Sequence, residues 1–169
     1  MKLISILILL LAVSDAFSQQ EWLTTFIFVR HAEKESAQGK MMTKDPVLSN
    51  EGKTRAQHLA EVLSKTEIAS VYSTPYQRTR QTVGPLAQAK SLEVKEYDPA
   101  TLQEIDRMLN DNKGKTAVVC GHSNTIPRLA NYLTGKETYS DFAENDFGNL
   151  LIICVYERGK PACATWLKY

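Results

Sequence analysis

Residues 26–34 read Phe26-Ile27-Phe28-Val29-Arg30-His31-Ala32-Glu33-Lys34, or FIFVRHAEK. Four apolar residues in a row, two aromatic and two β-branched, describe a strand buried on both faces, since no alternate position is polar. The run stops at a cation and an imidazole standing side by side. In open parallel α/β sheets ligands bind beyond the carboxyl ends of the strands, so Arg30-His31 falls where such a fold carries its chemistry.

The rest of the chain repeats the alternation that such a sheet needs. Short β-branched or aromatic runs at 24–29, 69–72, 92–95 and 116–120, with 150–156 and 162–167 at the end, are predicted strands. Between them apolar residues recur at helical spacing: Ala56, Leu59, Ala60, Leu63; Tyr76, Thr79, Val83, Leu86; Leu102, Ile105, Leu109; Ile126, Leu129, Ala130, Leu133. The expected fold is α/β, a three-layer α/β/α sandwich with a mostly parallel central sheet. Only Glu157-Arg158-Gly159-Lys160 separates the last two strands, which predicts an antiparallel hairpin at the C-terminal edge. Pro75 and Pro99 suit first helical positions behind Ser73-Thr74 and Asp98; Pro127 suits a first turn, and Gly135 a helix end. The stretches 35–46 and 137–149 carry no regular pattern.

Ahead of this region, residues 1–18 read as a secretory signal. Lys2 precedes an apolar run over 3–13, and Ala16-Phe17-Ser18 supplies small residues at −3 and −1. That run is shorter than the roughly 20 residues that span a bilayer. The expectation is an exported protein, periplasmic or extracellular, with no stable membrane anchor after cleavage and one domain over 19–169. The loss of Lys2 and Asp15 together leaves the net charge at +1, which gives no basic face for a nucleic-acid partner. Three cysteines are few for an oxidising compartment. Cys120 and Cys154 sit in apolar runs, which favours buried thiols; a Cys154–Cys163 bridge between neighbouring strands is the other reading.

The strand exits hold Arg30-His31, then Ser73-Thr74-Pro75-Tyr76-Gln77-Arg78, then Asp98, then Gly121-His122-Ser123-Asn124. Two of the three histidines stand there; the third, His58, lies in a helix and reads as a partly exposed bystander. Gathering several cations at one sheet edge is costly unless an anion joins them. Arginine forks and helix N-termini supply many donors, which a phosphoryl group uses better than a carboxylate does.

Arg30-His31 after an apolar strand, Ser73-Thr74-Pro75-x-x-Arg78-x-x-x-Thr82, Gly121-His122, and the helix start Leu48-Ser49-x-x-Gly52 with Ala56 and Leu59-Ala60 resemble the histidine phosphatase superfamily, the phosphoglycerate-mutase-like fold. The resemblance implies that His31 is a nucleophile forming a phosphohistidine that water hydrolyses. It implies also that Arg30, Arg78 and His122 hold the phosphoryl oxygens. The substrate would be a small phosphorylated molecule or a phosphorylated protein side chain, with no cofactor and no metal.

Two positions depart from the common pattern. The usual glycine after the nucleophile is Ala32, acceptable where φ stays negative. The glutamate that serves many members as general acid is missing: Asp98 is the positional candidate, with helix capping as its plain explanation, and Glu33 is the second candidate, with orientation of Arg30 or Lys34 as its plain explanation. A weak acid favours phosphoramidates or acyl phosphates over alkyl esters, and the short branch that includes phosphohistidine phosphatases shows the same economy. Residues 79–121 leave no room for a cap insertion between Arg78 and His122, so the site should be open, flanked by Lys40 and Lys44. Two rival readings stand beside this one. A metal-dependent hydrolase using His31 and His122 lacks the spacing of a ligand set; a non-catalytic phosphate-binding module would keep the pocket without turnover.

Overall fold

The computed structural model describes residues 22–36 and 43–169. The export signal read over 1–18 and Lys40 lie outside the described residues. In chain order the elements are β1 (Thr24–Arg30), α1 (Asn50–Val62), β2 (Ser70–Ser73), α2 (Gln77–Ala89), β3 (Val94–Glu96), α3 (Glu104–Asp111), β4 (Thr116–Gly121), α4 (Thr125–Thr134), β5 (Asn149–Glu157) and β6 (Lys160–Lys168). The six strands form one sheet in the order β3-β2-β4-β1-β5-β6. The first four of these run parallel, and β5 and β6 add antiparallel to one edge, as the hairpin signal required.

Alternation along β1 divides the core into two layers. Phe26 and Phe28 point to one face, where Ile105 and Met108 of α3 and Ile126 and Leu129 of α4 cover them. Ile27 and Val29 point to the other face, under Leu59 of α1 and Val83 and Leu86 of α2. Both faces are dry, which is why the sequence shows an unbroken apolar run instead of an alternating one. Truncating Phe28, buried at the centre, to Ala would cost about 3–5 kcal/mol.

Register places the strand exits level with one another. Arg30 lies opposite Gly121, and Ser73 opposite Cys120. The ladder runs one bond further, with the His31 N–H donating to the Gly121 carbonyl at 2.9 Å, so the two strand-end histidines are brought side by side. Ser49 caps α1 by accepting from the Gly52 N–H at 3.1 Å. A Cβ at Gly52 would fall 2.1 Å from the Glu33 carbonyl oxygen, so only glycine lets α1 lie against the backbone that follows the nucleophile. Pro127 is in the first turn of α4, and Gly135 ends that helix at φ 68°.

Several expectations need correction. Pro75 does not open α2: the helix starts at Gln77, whose N–H is capped from far away in sequence by the Asp45 carboxylate at 3.0 and 3.1 Å. Pro99 does not open α3 either, which starts at Glu104; residues 99–100 form a turn instead. Cys154 and Cys163 are joined in a disulfide across β5 and β6, with Cα atoms 4.9 Å apart, and only Cys120 is a buried free thiol. Cross-strand neighbours on the hairpin outweigh the apolar setting of Cys154. Among the described residues no helix is long and apolar enough to cross a membrane.

Candidate active site

His31 is 5% exposed at the end of β1. Its Nδ1 lies 2.8 Å from the Ala32 carbonyl oxygen, which can only accept, so Nδ1 carries the proton and Nε2 keeps its lone pair. Burial pushes the imidazole pKa down to about 4; the Ala32 hydrogen bond opposes this, and Arg78, Arg30 and Lys34 add to it. Near neutral pH the ring is therefore an uncharged base with one free nitrogen. Ala32 is fully buried against Leu48 and Ala56 and keeps a negative φ, so the alanine is tolerated. Its N–H donates to Thr82 Oγ1 at 2.9 Å, which gives the threonine of the α2 motif a task beyond packing: it holds the turn after the nucleophile.

His122 shows the opposite tautomer. Arg78 Nη2 donates to Nδ1 at 3.3 Å, and Nε2 lies 3.1 Å from Thr74 Oγ1. Thr74 meets Thr79 Oγ1 at 2.7 Å, and Thr79 donates to the Tyr76 carbonyl at 2.8 Å. One donor direction satisfies the whole chain: His122 Nε2–H to Thr74, Thr74 to Thr79, Thr79 to the backbone. Burial, then Arg78, His31, Arg30 and Lys34, push the His122 pKa down to about 3. The two imidazole rings stand edge to face with centroids 5.4 Å apart. A Cβ at Gly121 would come within 2.7 Å of Thr125 Oγ1 and Tyr97 Oη, so glycine is what lets this exit pack so closely.

The two arginines are held differently. Arg30 is 4% exposed. Its Nη1 donates to the carbonyls of Ala143 at 2.6 Å and Asp146 at 3.0 Å, and its Nη2 to that of Glu144 at 2.8 Å. The guanidinium carbon sits 4.4 Å from the Phe147 ring centroid, and Nε is buried with no partner. Burial pulls its pKa down, while Glu144, Asp146 and Glu33 oppose this. Arg78 stacks on Tyr76 at the same 4.4 Å and meets Asp45 at 3.4 Å.

The remaining sequence candidates lie apart from this cluster. Asp98 is exposed after β3; its carboxylate accepts from the Ala100 N–H at 2.9 Å and the Thr101 hydroxyl at 3.0 Å. Among the described residues no hydrogen bond or ion pair joins Asp98 to either histidine. Glu33 does not orient Arg30 or Lys34 by hydrogen bonding; both of its oxygens accept from Arg55 Nε at 2.9 Å. Burial raises the Glu33 pKa, but the Arg55 bonds, a bond from its own backbone N–H and the charges of Arg55 and Arg30 together outweigh it and hold the carboxyl below its usual value. His58 and Arg80 are surface residues, the latter paired with Glu96. The sequence marked Thr74 only as a cap before Pro75 and Tyr76 only as part of an apolar stripe, and it marked Asp45 and Phe147 not at all. Thr74 stands inside the quoted motif and was open to discovery; Asp45 and Phe147 reach the site only through the fold.

The model of the histidine phosphatase superfamily (branch 1) matches residues 26–106, the span that carries Arg30, His31 and Arg78. Over this span, just under half of its length, the chain is similar to the histidine phosphatase superfamily. Over 77 residues it is 43% identical to phosphoserine phosphatase 1 of Hydrogenobacter thermophilus, a match that covers 43% of this chain and 35% of that protein. The match thus spans about a third of the relative's length. Among solved structures, a mycobacterial glucosyl-3-phosphoglycerate phosphatase superposes with a TM-score of 0.69 at 13% identity, covering 87% of this chain and 98% of the other. The protein histidine phosphatase SixA, solved with tungstate, superposes at 0.67 and 17% identity, covering 85% and 96%. These structures share the histidine phosphatase fold with this chain. Among the described residues no group of three His, Cys, Asp or Glu is placed to hold a metal ion.

Proposed function

We propose that this protein is a phosphatase that works through a covalent phosphohistidine on His31 and requires no metal. The observation that carries the reading is the His31 tautomer: Nδ1–H is spent on the Ala32 carbonyl, so Nε2 presents a lone pair beside the Arg78–His122 pair. Nε2 attacks phosphorus, the bond to the leaving group breaks, and water then cleaves the P–N bond and returns the electron pair to Nε2. Arg30, Arg78 and His122 hold the phosphoryl oxygens as charge spreads over them. Arg30 brings Nε to this task, since its other nitrogens are engaged.

The substrate is a small phosphorylated molecule or a phosphorylated protein side chain, a range that the names of the related phosphatases support. Asp98, the acid expected from its place after β3, has both oxygens accepting within its own turn, and Glu33 is held ionised by Arg55. This shortage of free carboxylates favours phosphoramidates, acyl phosphates and activated esters. We propose further that the chain is exported, with 1–18 as its signal and 19–169 as one domain. The Cys154–Cys163 disulfide supports an oxidising compartment.

The test is phosphate release in EDTA from a phosphomonoester, an acyl phosphate and a phosphoramidate, with wild type and His31→Ala. Turnover by wild type alone is expected. Equal turnover by His31→Ala, or turnover only on addition of a divalent ion, would remove the assignment.

A further inference from the structure

If the proposed phosphatase chemistry holds, a proton must reach the leaving group, and neither Glu33 nor Asp98 is free to deliver it. We propose that His122 is the proton donor, charged through Nδ1 when the phosphoryl group draws Arg78 away from it, with Thr74 as the residue that holds its ring in place. Three observations carry this. Nδ1 faces Arg78, one of the guanidiniums proposed to hold the phosphoryl oxygens, so a phosphoryl group that draws Arg78 away would leave this nitrogen facing it. Nε2–H is committed to Thr74 in a donor chain that ends on the Tyr76 carbonyl, so the ring cannot turn without breaking that chain. The grip of Arg78 on its present partners is exchangeable, at 3.3 Å to His122 and 3.4 Å to Asp45, and an entering phosphoryl group competes directly with both.

In the free site the charged groups felt by His122 are cations: Arg78 foremost, then Arg30 and Lys34, with the neutral His31 and the edge-on Tyr76 beside it. They keep the ring neutral. A phosphoryl dianion reverses the local field, and Nδ1, stripped of the Arg78 donor, takes a proton from solvent. In the first half-reaction the N–P bond to His31 forms and the bond from phosphorus to the leaving atom breaks. The electron pair stays on the leaving atom, which takes the Nδ1 proton. In the second half-reaction water attacks phosphorus, its proton goes to Nδ1, and the P–N electron pair returns to His31. His122 thus ends as it began, and the enzyme needs no carboxylic acid.

Leaving-group dependence separates this role from simple phosphate holding. Wild type and His122→Asn would be compared on 2,4-dinitrophenyl phosphate, whose phenolate leaves without protonic help, and on phenyl phosphate, whose phenolate does not. A proton donor predicts a fall of about 10²–10⁴ in kcat/KM on phenyl phosphate and less than about tenfold on the dinitrophenyl ester. Equal losses on both esters would overturn the proposal and leave His122 a phosphate ligand only. Thr74→Val retains His122 but removes the oxygen that holds its ring; turnover of phenyl phosphate should drop more than that of the dinitrophenyl ester, and Thr74→Ser should restore it. An unaltered phenyl phosphate rate in Thr74→Val would count against the positioning role. Absence of any wild-type turnover on the dinitrophenyl ester would remove the phosphatase reading itself, an outcome distinct from equal losses.

Discussion

The Arg30–His31 pair and the Arg78–His122 pair bear the same chemistry and are built in opposite ways. Arg30 is gripped by three backbone carbonyls of the loop before β5 and flattened against Phe147. Arg78 likewise stacks on an aromatic ring, Tyr76, but its hydrogen bonds reach only one carboxylate and one imidazole nitrogen, each at the outer limit of a hydrogen bond. The histidines differ likewise: His31 holds its proton against a fixed carbonyl and offers Nε2, whereas His122 holds its proton against a hydroxyl chain and leaves Nδ1 to an exchangeable donor. The first pair is fixed by backbone, whereas the second rests on side-chain partners that can be exchanged. Two cations can serve one anion while only one of them is free to move.

The largest expected effect tests this contrast directly. Arg30→Ala strips three carbonyls of their donor and should cost about 3 kcal/mol or more, with loss of hydrogen-exchange protection across 143–147. Arg78→Ala should cost less than about 1 kcal/mol, because water can replace it at Asp45, yet reduce phosphate release on the order of 10²–10³-fold. Comparable destabilisation by the two substitutions in thermal unfolding would break the comparison.

Acid comes next in size. The folded-state pKa values of about 4 for His31 and about 3 for His122 lie below the ordinary histidine value, so between the two the unfolded chain binds more protons. The stability that comes from keeping the rings neutral is complete above pH 6.5 and declines as pH falls towards 4, by roughly 3 kcal/mol at most for His31. Unfolding midpoints measured from pH 7 to 4.5 should fall less steeply in His31→Gln than in wild type. An identical slope would mean that the ring is not held neutral.

The strand exits were legible in sequence because they are local. An apolar run that ends in Arg-His, a Ser-Thr-Pro turn with Arg78 a helical start away, and Gly-His after a second apolar run each occupy a few consecutive residues. The burial of both faces of β1 showed in its unbroken apolarity. The frame around Arg30 was not legible, since its acceptors are carbonyls more than a hundred residues away and carbonyls leave no mark in residue type. Asp45 capping α2, Arg55 gripping Glu33 and Thr82 gripping the Ala32 N–H are long-range for the same reason. Pro75 misplaced the helix start because a remote carboxylate, not Ser73 or Thr74, does the capping.

Smaller effects sharpen the edges of the picture. Glu33→Gln should cost about 1 kcal/mol by loosening the Arg55 fork, with little change in turnover, since Glu33 acts on the frame. Asp98→Ala should cost about 1 kcal/mol through the lost turn bonds. A selective loss of poor leaving groups in that variant would return the acid role to Asp98.

The central claim is that a neutral His31 becomes phosphorylated. Rapid quenching of the protein with a labelled phosphoramidate, followed by peptide mapping, should find the label on His31 in wild type, stable to base and released by acid, and none in His31→Ala. Label retained by His31→Ala, or phosphate released by wild type with no label on His31 at any time point, would contradict it.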